Sequence, residues 1–326
     1  MKIAFYIGAI CVRGTSNATY DYANYNEKIL GNKSIIVIPK SSLNKNDRMG
    51  VIRFASRFPL RVYDKLEDLD ELLEREGCDI LYNLKFGTKD GVVCSKKKNV
   101  IHCVFDMSDP HGDVYAGVSE SVARKYGKKL FVPHMVGLKP SISKENLREK
   151  LSIPKEGIVF GRYGGLDTFN IDFCLRVIAS VLNVRSDIYF LFINTIEFYR
   201  HPRIFYLPKI TDEDDKNRFI QTCDAHLECG TLGHSFGLAL GEFSVNNKPI
   251  IAYRPVPNTL WNTAHIEILG ENGIYFKDEN EFNEIINKFD PKQYENKDLN
   301  FYKEYSPEKV MKIFDDVFIK SSVKEY

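Results

Sequence analysis

The segment 232–253 carries polar side chains whose types and spacing suit a small polar ligand. A turn at Gly233 precedes an apolar pattern that predicts a helix beginning near Ser235. Ser235 can cap the first turn, where the free N–H groups of a helix bind anions or hydroxyl groups. Glu242 follows seven residues later, roughly 10 Å along the same face. The spacing favours a ligand with a polar group at each end. The alternative is a buried helix of an α/β sheet with an ordinary exposed glutamate.

Arg162 is a candidate phosphate ligand. It ends a predicted strand just before Gly164 and Gly165, so its guanidinium could form a bidentate contact with a diphosphate while the glycines let the ligand approach. The alternative is a surface ion pair, which would contribute about 0 to 1 kcal/mol.

His102 is a candidate for acid–base chemistry. It lies on a predicted strand of the N-terminal half, with Asp106 and His111 in the loop that follows. A histidine can stabilise charge or accept a proton near neutral pH, but beside Cys103 this one could equally be a packed core residue. The loop spacing alone does not bring together the several oxygens that a hard cation requires, so we expect no metal.

Length and composition indicate a folded chain of two domains. The chain has 326 residues, of which 44% are hydrophobic. This length suits two domains of about 150 residues each, and the hydrophobic fraction is enough for packed cores. The 45 basic and 44 acidic residues nearly balance, so we expect no nucleic acid and no anionic membrane as an obligatory partner. Any phosphate site must be local.

Cysteine usage and hydropathy indicate the compartment. The seven cysteines are scattered and none forms a C-x-x-C pair, which favours a reduced, cytoplasmic protein over a disulfide framework or a zinc site. No stretch approaches about 18 uninterrupted apolar residues, so we expect no membrane span.

Strand and helix patterns alternate along both halves of the chain. A strand over residues 2–10, a helix beginning near Ser16 and a strand over residues 34–39 form a βαβ opening. The segment 137–157, with two prolines and several serines, is predicted to be an interdomain linker. The alternation restarts at Ile158. Short turns between alternating elements predict a parallel α/β sheet in each half.

The segment 232–253 also resembles the donor-binding helix of retaining GT-B glycosyltransferases, especially family 4. His234 and Glu242 fall on the two glutamate positions of that family's pattern, and Phe236-Gly237-Leu238 matches its core. The segments VRGTSNATYDYANYN, FDMSDPHGDVYAGVSE and FGRYGGLDTF are similar to predicted sugar transferases of large DNA viruses and AT-rich bacteria.

The resemblance implies an α/β fold of the GT-B class, with two Rossmann-like domains that face each other across a cleft. Residues 1–137 would form the acceptor-side domain, onto which a C-terminal helix at about 305–326 packs back. Residues 138–304 would form the nucleotide-sugar donor domain.

The resemblance also implies roles for individual residues. Glu242 would bind the ribose, Arg162 the diphosphate, and the Lys209-Ile210 main chain the base. The full donor-binding set is Gly14, Thr15, Arg162, Lys209, Ile210, His234, Ser235, Phe236, Gly237, Leu238 and Glu242. The sequence departs from the family at His234, where the family has glutamate, and at Asp167 or Thr168, where it has lysine.

Three residues are predicted to lie near the reacting sugar and assist catalysis: His102, Arg162 and His234. Four are predicted on the acceptor side, where a solvated turn is the alternative: Lys85, Asp90, Asp106 and His111.

The predicted function is transfer of a sugar from a UDP- or GDP-linked donor to an acceptor hydroxyl, with retention and without a cofactor or metal. The partners would be a nucleotide sugar and a glycan, glycolipid or other hydroxyl acceptor. Two alternatives share the architecture: a nucleotide-sugar 2-epimerase and a non-catalytic module that binds sugar nucleotides or glycans.

Overall fold

The computed structural model describes residues 1–11, 14–140, 142–210 and 212–321. It divides into two compact units. The first comprises Met1–Gly137 with Glu304–Tyr326, and the second comprises Leu138–Lys303.

Strands and helices alternate through the N-terminal part of the first unit. In chain order they are β1 (Lys2–Tyr6), α1 (Gly14–Lys28), β2 (Lys33–Pro39), α2 (Arg48–Ala55), β3 (Leu60–Tyr63), α3 (Asp68–Arg75), β4 (Ile80–Lys85), β5 (Lys98–Cys103), β6 (Val114–Gly117) and α4 (Glu120–Lys125). Side-chain caps fix where two helices begin: Asp47 accepts from Gly50 N at α2, and Ser119 accepts from Val122 N at α4.

The second unit repeats the alternation. Its elements are β7 (Ile158–Tyr163), α5 (Asp172–Val184), β8 (Ile188–Ile193), β9 (Ile204–Leu207), α6 (Glu213–Thr222), β10 (Ala225–Glu228), β11 (Gly233–His234), α7 (Leu238–Val245), β12 (Ile250–Tyr253), β13 (Asn262–Thr263), α8 (Ala264–Leu269), β14 (Ile274–Phe276) and α9 (Glu279–Lys288). The chain then returns to the first unit as α10 (Pro307–Phe314), which a π-helical turn extends (Asp315–Lys320). Short 3-10 turns occupy Lys40–Lys45, Gly270–Asn272, Pro291–Tyr294 and Lys303–Tyr305.

Each unit is built on a parallel sheet that has six strands within the described residues. The order is β3-β2-β1-β4-β5-β6 in the first unit and β9-β8-β7-β10-β12-β14 in the second. Each is the Rossmann order, in which the fourth strand pairs beside the first and the direction of winding reverses between them. A separate two-stranded ladder pairs β11 with β13.

The apolar sequences of the strands explain why each sheet lies at the centre of its unit. Both faces of a parallel sheet are covered, so its strands are apolar throughout. All six residues of β8, IYFLFI, are buried. Ile188, Phe190 and Phe192 belong to a core of the second unit with Phe160, Leu227 and the inner face of α5.

The C-terminal helix completes the core of the first unit. Phe314 of α10 stacks on Tyr22 of α1 with ring centroids 5.4 Å apart, and Phe318 meets the edge of His102 at 5.0 Å. Lys98 Nζ donates to Ile319 O at 3.0 Å.

None of the helices in the described residues is long and apolar enough to cross a membrane. The seven cysteines, all of which are described, are free thiols.

Candidate functional site

The carboxyl ends of β7 and β10 form the reversal point of the second sheet. The two strands pair directly, with Ala225 opposite Phe160 and His226 opposite Gly161. Ligands of open α/β sheets bind outside the carboxyl ends of the strands at such a point. Here β7 ends at Tyr163 and β10 at Glu228, so these ends bring Arg162 and Glu228 to the same edge.

Arg162 is fully buried. Its Nη1 donates to Asn194 O at 3.2 Å and to Thr195 Oγ1 at 2.6 Å, while Nη2 donates to Gly165 O at 2.8 Å and to Thr168 Oγ1. The guanidinium therefore ties together the loops that follow β7 and β8. The predicted bidentate contact with a diphosphate is wrong for this conformation, because all four terminal N–H donors already meet protein oxygens. The surface ion pair considered as its alternative is wrong as well.

Glu228 is a carboxylate almost wholly removed from water, at 4% exposure. Its Oε2 lies 3.0 Å from His234 Nε2 and 3.7 Å from His226 Nε2. Burial alone would raise the pKa of this carboxyl, but His234, His226 and Arg162 together hold it well below its usual range. The site therefore contains a negative charge in a poorly solvated place.

Two further histidines surround this carboxylate and are neutral. Burial lowers the pKa of His226 despite the nearby Glu228 charge, and it lowers the pKa of His265, with the help of the His234 charge, to about 3. His265 Nδ1 accepts a hydrogen bond from His234 N at 3.3 Å. Neither Glu228 nor His265 was predicted from the sequence. A charged residue that ends a buried strand before Cys-Gly was the signal available for Glu228.

The loop from β10 to α7 sets the position of His234. Gly233 and Gly237 have positive φ angles of 66° and 88°, a region that favours glycine. A Cβ on Gly233 would lie 2.0 Å from Asn262 O, so only glycine permits the ladder between β11 and β13. This ladder holds His234 opposite Thr263.

The helix α7 begins three residues later than predicted, at Leu238, with Gly237 at its N-cap. Ser235 is buried at 8% exposure and lies outside the helix, so its predicted capping role is wrong. Phe236 O accepts from the Tyr302 hydroxyl at 3.0 Å. The first intrahelical bond runs from Gly241 N to Gly237 O, which leaves the N–H groups of the first turn directed out of the helix end.

Glu242 lies on α7 one turn after Leu238. Lys216 Nζ is 2.6 Å from its Oε1, and the Tyr163 hydroxyl donates to its Oε2. The Glu242 side chain is 13% exposed, so it faces neither the core nor bulk water. Tyr163 ends β7, which places Glu242 at the same sheet edge as Glu228. The ordinary exposed glutamate considered as the alternative is wrong.

Lys209 and Ile210 follow β9, which is the outermost strand on its side of the sheet. Two strands, β8 and β7, separate β9 from β10. Lys209 is exposed and Ile210 half-buried. Their predicted contact with the base stays a prediction.

His102 is a core residue of the first unit, with none of its surface exposed. The Tyr82 hydroxyl donates to its Nδ1 at 2.7 Å, and Nε2 donates to Val132 O at 2.8 Å. Burial and the nearby His134 hold its pKa well below the ordinary value. The predicted catalytic role is wrong, because both ring nitrogens are occupied inside the core.

Three of the predicted acceptor-side residues come together in the first unit. Lys85, at the end of β4, contacts Asp90, and its Nζ lies 3.1 Å from His111 Nε2. Asp106 instead accepts from Ser108 N within its own loop. Gly14 and Thr15 open α1.

Across the described residues, no three His, Cys, Asp or Glu side chains are arranged to hold a metal ion.

Comparison with known proteins identifies the fold. No family model matches the sequence, and no curated protein matches it. A glycosyltransferase from Rickettsia africae ESF-5 superposes with a TM-score of 0.72 at 15% identity, covering 98% of this chain and 99% of that one. Anabaena Alr3699/HepE in complex with UDP-glucose gives a TM-score of 0.68 at 13% identity, covering 98% and 95%. A candidate UDP-N-acetylglucosamine 2-epimerase from Listeria monocytogenes gives a TM-score of 0.58 at 12% identity, covering 100% of this chain and 99% of that one.

The two Rossmann-ordered sheets together with these similarities establish the fold. The chain is an α/β protein of the GT-B class.

Proposed function

We propose that the chain is a glycosyltransferase that moves a sugar from a UDP- or GDP-linked donor to an acceptor hydroxyl, with retention at the anomeric carbon. The observation that carries the proposal is the edge where β7 and β10 end. It combines an open helix N-terminus, Glu242 one turn into that helix, and His234 beside a buried carboxylate. The fold is shared with a protein whose structure holds UDP-glucose.

The N-terminus of α7 would bind the diphosphate. The first N–H groups of a helix have no intrahelical acceptor and carry the positive end of the dipole. Gly237, at the N-cap, is followed by Leu238 and Ala239, whose N–H groups would donate to the phosphate oxygens. Ser235 and Phe236 would shape the loop that leads there.

Glu242 would bind the ribose. Lys216 and Tyr163 orient its two oxygens, and a ribose hydroxyl would replace one of these contacts. Lys209 and Ile210 would contact the base. Arg162 would act without contacting the donor. It would fix the loop through Gly165 and place a buried positive charge near the phosphates.

The group Lys85, Asp90 and His111 would bind the acceptor in the first unit, with Asp106, Gly14 and Thr15 as further candidates. A hydroxyl acceptor such as a glycan or glycolipid fits these side chains, because they include both donors and acceptors of hydrogen bonds. Catalysis would consist mainly of electrostatic stabilisation of the departing diphosphate, without an enzyme nucleophile, a cofactor or a metal.

A panel of nucleotide sugars tests the proposal. A ligand held only by the folded protein raises its melting temperature, so a UDP or GDP sugar should produce a thermal shift. Incubation with the responding sugar, with and without EDTA, should release free nucleoside diphosphate, and proton NMR of a transfer product should show a retained anomeric configuration. The absence of both a shift and release with every donor would reject the proposal.

An epimerase is the second candidate, because one similar structure is a candidate UDP-N-acetylglucosamine 2-epimerase. Its product would be an isomer of the donor with the diphosphate still attached, which chromatography separates from free UDP. A non-catalytic binding module would give the thermal shift without either product.

A further inference from the structure

The position of His234 distinguishes it from the other histidines of the second unit's sheet edge. Its side chain is 26% exposed, whereas Glu228 is 5% and His226 0% exposed by the same measure. His265 is 1% exposed as a residue. His234 is therefore the member of the cluster that a ligand can reach, and it lies three residues before the N-cap of α7.

His234 makes the shortest contact among the basic groups around Glu228. A buried carboxylate requires a paired positive group. Arg162 contributes charge, but its terminal N–H groups donate to Asn194, Thr195, Gly165 and Thr168. His226 and His265 are kept neutral by burial. His234 Nε2 is the nitrogen nearest the carboxylate, at 3.0 Å.

Polar atoms of the His234–Glu228 pair and of the adjoining His226 lack hydrogen bonds in the described structure. The 3.0 Å contact is off the line of a well-aligned bond, and both nitrogens of the fully buried His226 ring also lack a partner in the described structure. Gly230 gives the Glu228 carboxylate its space, because a Cβ there would lie 2.7 Å from Glu228 Oε1. Unsaturated polar atoms beside a reachable histidine are expected where a ligand completes the network.

From this geometry we infer that Glu228 is a positioning residue that holds His234 as an imidazolium, whose Nδ1–H donates to the diphosphate of the bound donor. The inference rests on the proposed function and assigns the charge neutralisation that buried Arg162 does not make by direct contact. When the bond from the anomeric carbon to the phosphate oxygen breaks, the electron pair passes to that oxygen and Nδ1–H strengthens its hydrogen bond to it. No residue is oxidised or reduced.

The groups that face His234 come from several elements. Glu228 of β10 contacts its side chain and His265 of α8 accepts from its main-chain N–H, while His226 of β10 and Arg162 of β7 lie near the same carboxylate.

Calorimetry with UDP tests the inference on three proteins: wild type, Glu228→Gln and His234→Gln. Each variant should bind UDP about tenfold more weakly at pH 6, as expected on losing a charge-assisted hydrogen bond. Affinity for uridine, which lacks phosphates, should stay within about twofold, a readout that a purely structural defect would also lower.

His201→Gln is the matched control, since His201 lies in the same unit before β9, and it should behave as wild type. Should Glu228→Gln fail to fold, His234→Gln still tests the inference, because His234 is partly exposed and its replacement should leave the fold intact. Wild-type affinity for UDP in His234→Gln overturns the inference while leaving the proposed function in place. A wild type that binds UDP, GDP and their sugars not at all overturns both.

Discussion

The two sheets have the same strand order, yet their histidines differ in what surrounds them. In the first unit His102 makes hydrogen bonds through both ring nitrogens, to Tyr82 and Val132, and none of it is exposed. In the second unit His234 is partly exposed and lies beside a carboxylate whose polar neighbours are incompletely bonded. A histidine with a complete set of partners stabilises a core, whereas one with an incomplete set has bonding capacity left for a ligand.

The largest effect should come from Arg162, on which the loops of the second unit depend. Arg162→Met should lower the free energy of unfolding by about 3–5 kcal/mol, because it leaves the acceptors of the two loops unpaired and removes one of the positive charges near the buried Glu228. Urea unfolding followed by the fluorescence of Trp261, the one tryptophan of the chain and part of this unit, measures it. Arg200→Met, which removes an exposed ion pair with Glu197, should change stability by less than about 1 kcal/mol. Equal effects of the two variants would contradict the buried structural role.

His102 should affect stability without affecting binding. His102→Leu leaves the Tyr82 hydroxyl and Val132 O unpaired in the core. The free energy of unfolding, measured by denaturation followed by circular dichroism, should therefore fall by about 2–4 kcal/mol. His102→Gln, which keeps one donor and one acceptor, should lose less. UDP affinity of either folded variant should equal that of wild type; a weaker affinity would restore a ligand role to His102.

Acid should destabilise both units through buried neutral histidines. Burial lowers the pKa of His134 in the first unit to about 3, and burial with the His234 charge does the same for His265 in the second. The unfolded chain takes up these protons first, at about pH 6.5, so stability is lost as pH falls below that value. Each histidine should contribute about 2 kcal/mol of loss by pH 5. His134→Phe should reduce the pH slope in urea unfolding between pH 7 and pH 5, and an unchanged slope would show that this histidine takes up no proton on unfolding in that range.

Glu242 should affect binding more than stability. Glu242→Gln should weaken UDP binding about tenfold in calorimetry, because it removes the charged acceptor for a ribose hydroxyl. Glu213→Gln, an exposed change on neighbouring α6, is the matched control and should bind as wild type. Unchanged affinity in folded Glu242→Gln would remove this residue from the site.

The smallest effect should come from Lys209, which follows the outermost strand. Lys209→Ala should weaken UDP binding, measured by calorimetry, by about twofold, because an exposed side chain contributes little to affinity. A tenfold loss would mean that the loop after β9 closes tightly on the base.

Sequence patterns predicted much of the fold because apolar runs and turn residues are local signals. The strand at residues 33–39 lies where residues 34–39 were predicted, and the strand at residues 158–163 begins at the predicted Ile158 and ends one residue after Arg162. The start of α7 was misplaced, because a positive φ at Gly237 and the β11–β13 ladder depend on contacts with Asn262 and Tyr302, far away in sequence.

The candidate site was only partly predictable for the same reason. His234 and Glu242 stood out through their spacing within one segment. Glu228 and His265 could be recognised only once the sheet and the ladder brought them beside His234. Likewise, spacing could not show whether Arg162 faces a ligand or the protein's own loops.

A crystal structure of the protein with UDP tests the central claim most directly. We expect phosphate oxygens within hydrogen-bond distance of Leu238 N and Ala239 N, with a ribose hydroxyl at Glu242. UDP bound elsewhere on the chain, with the first turn of α7 and Glu242 both untouched, would contradict it.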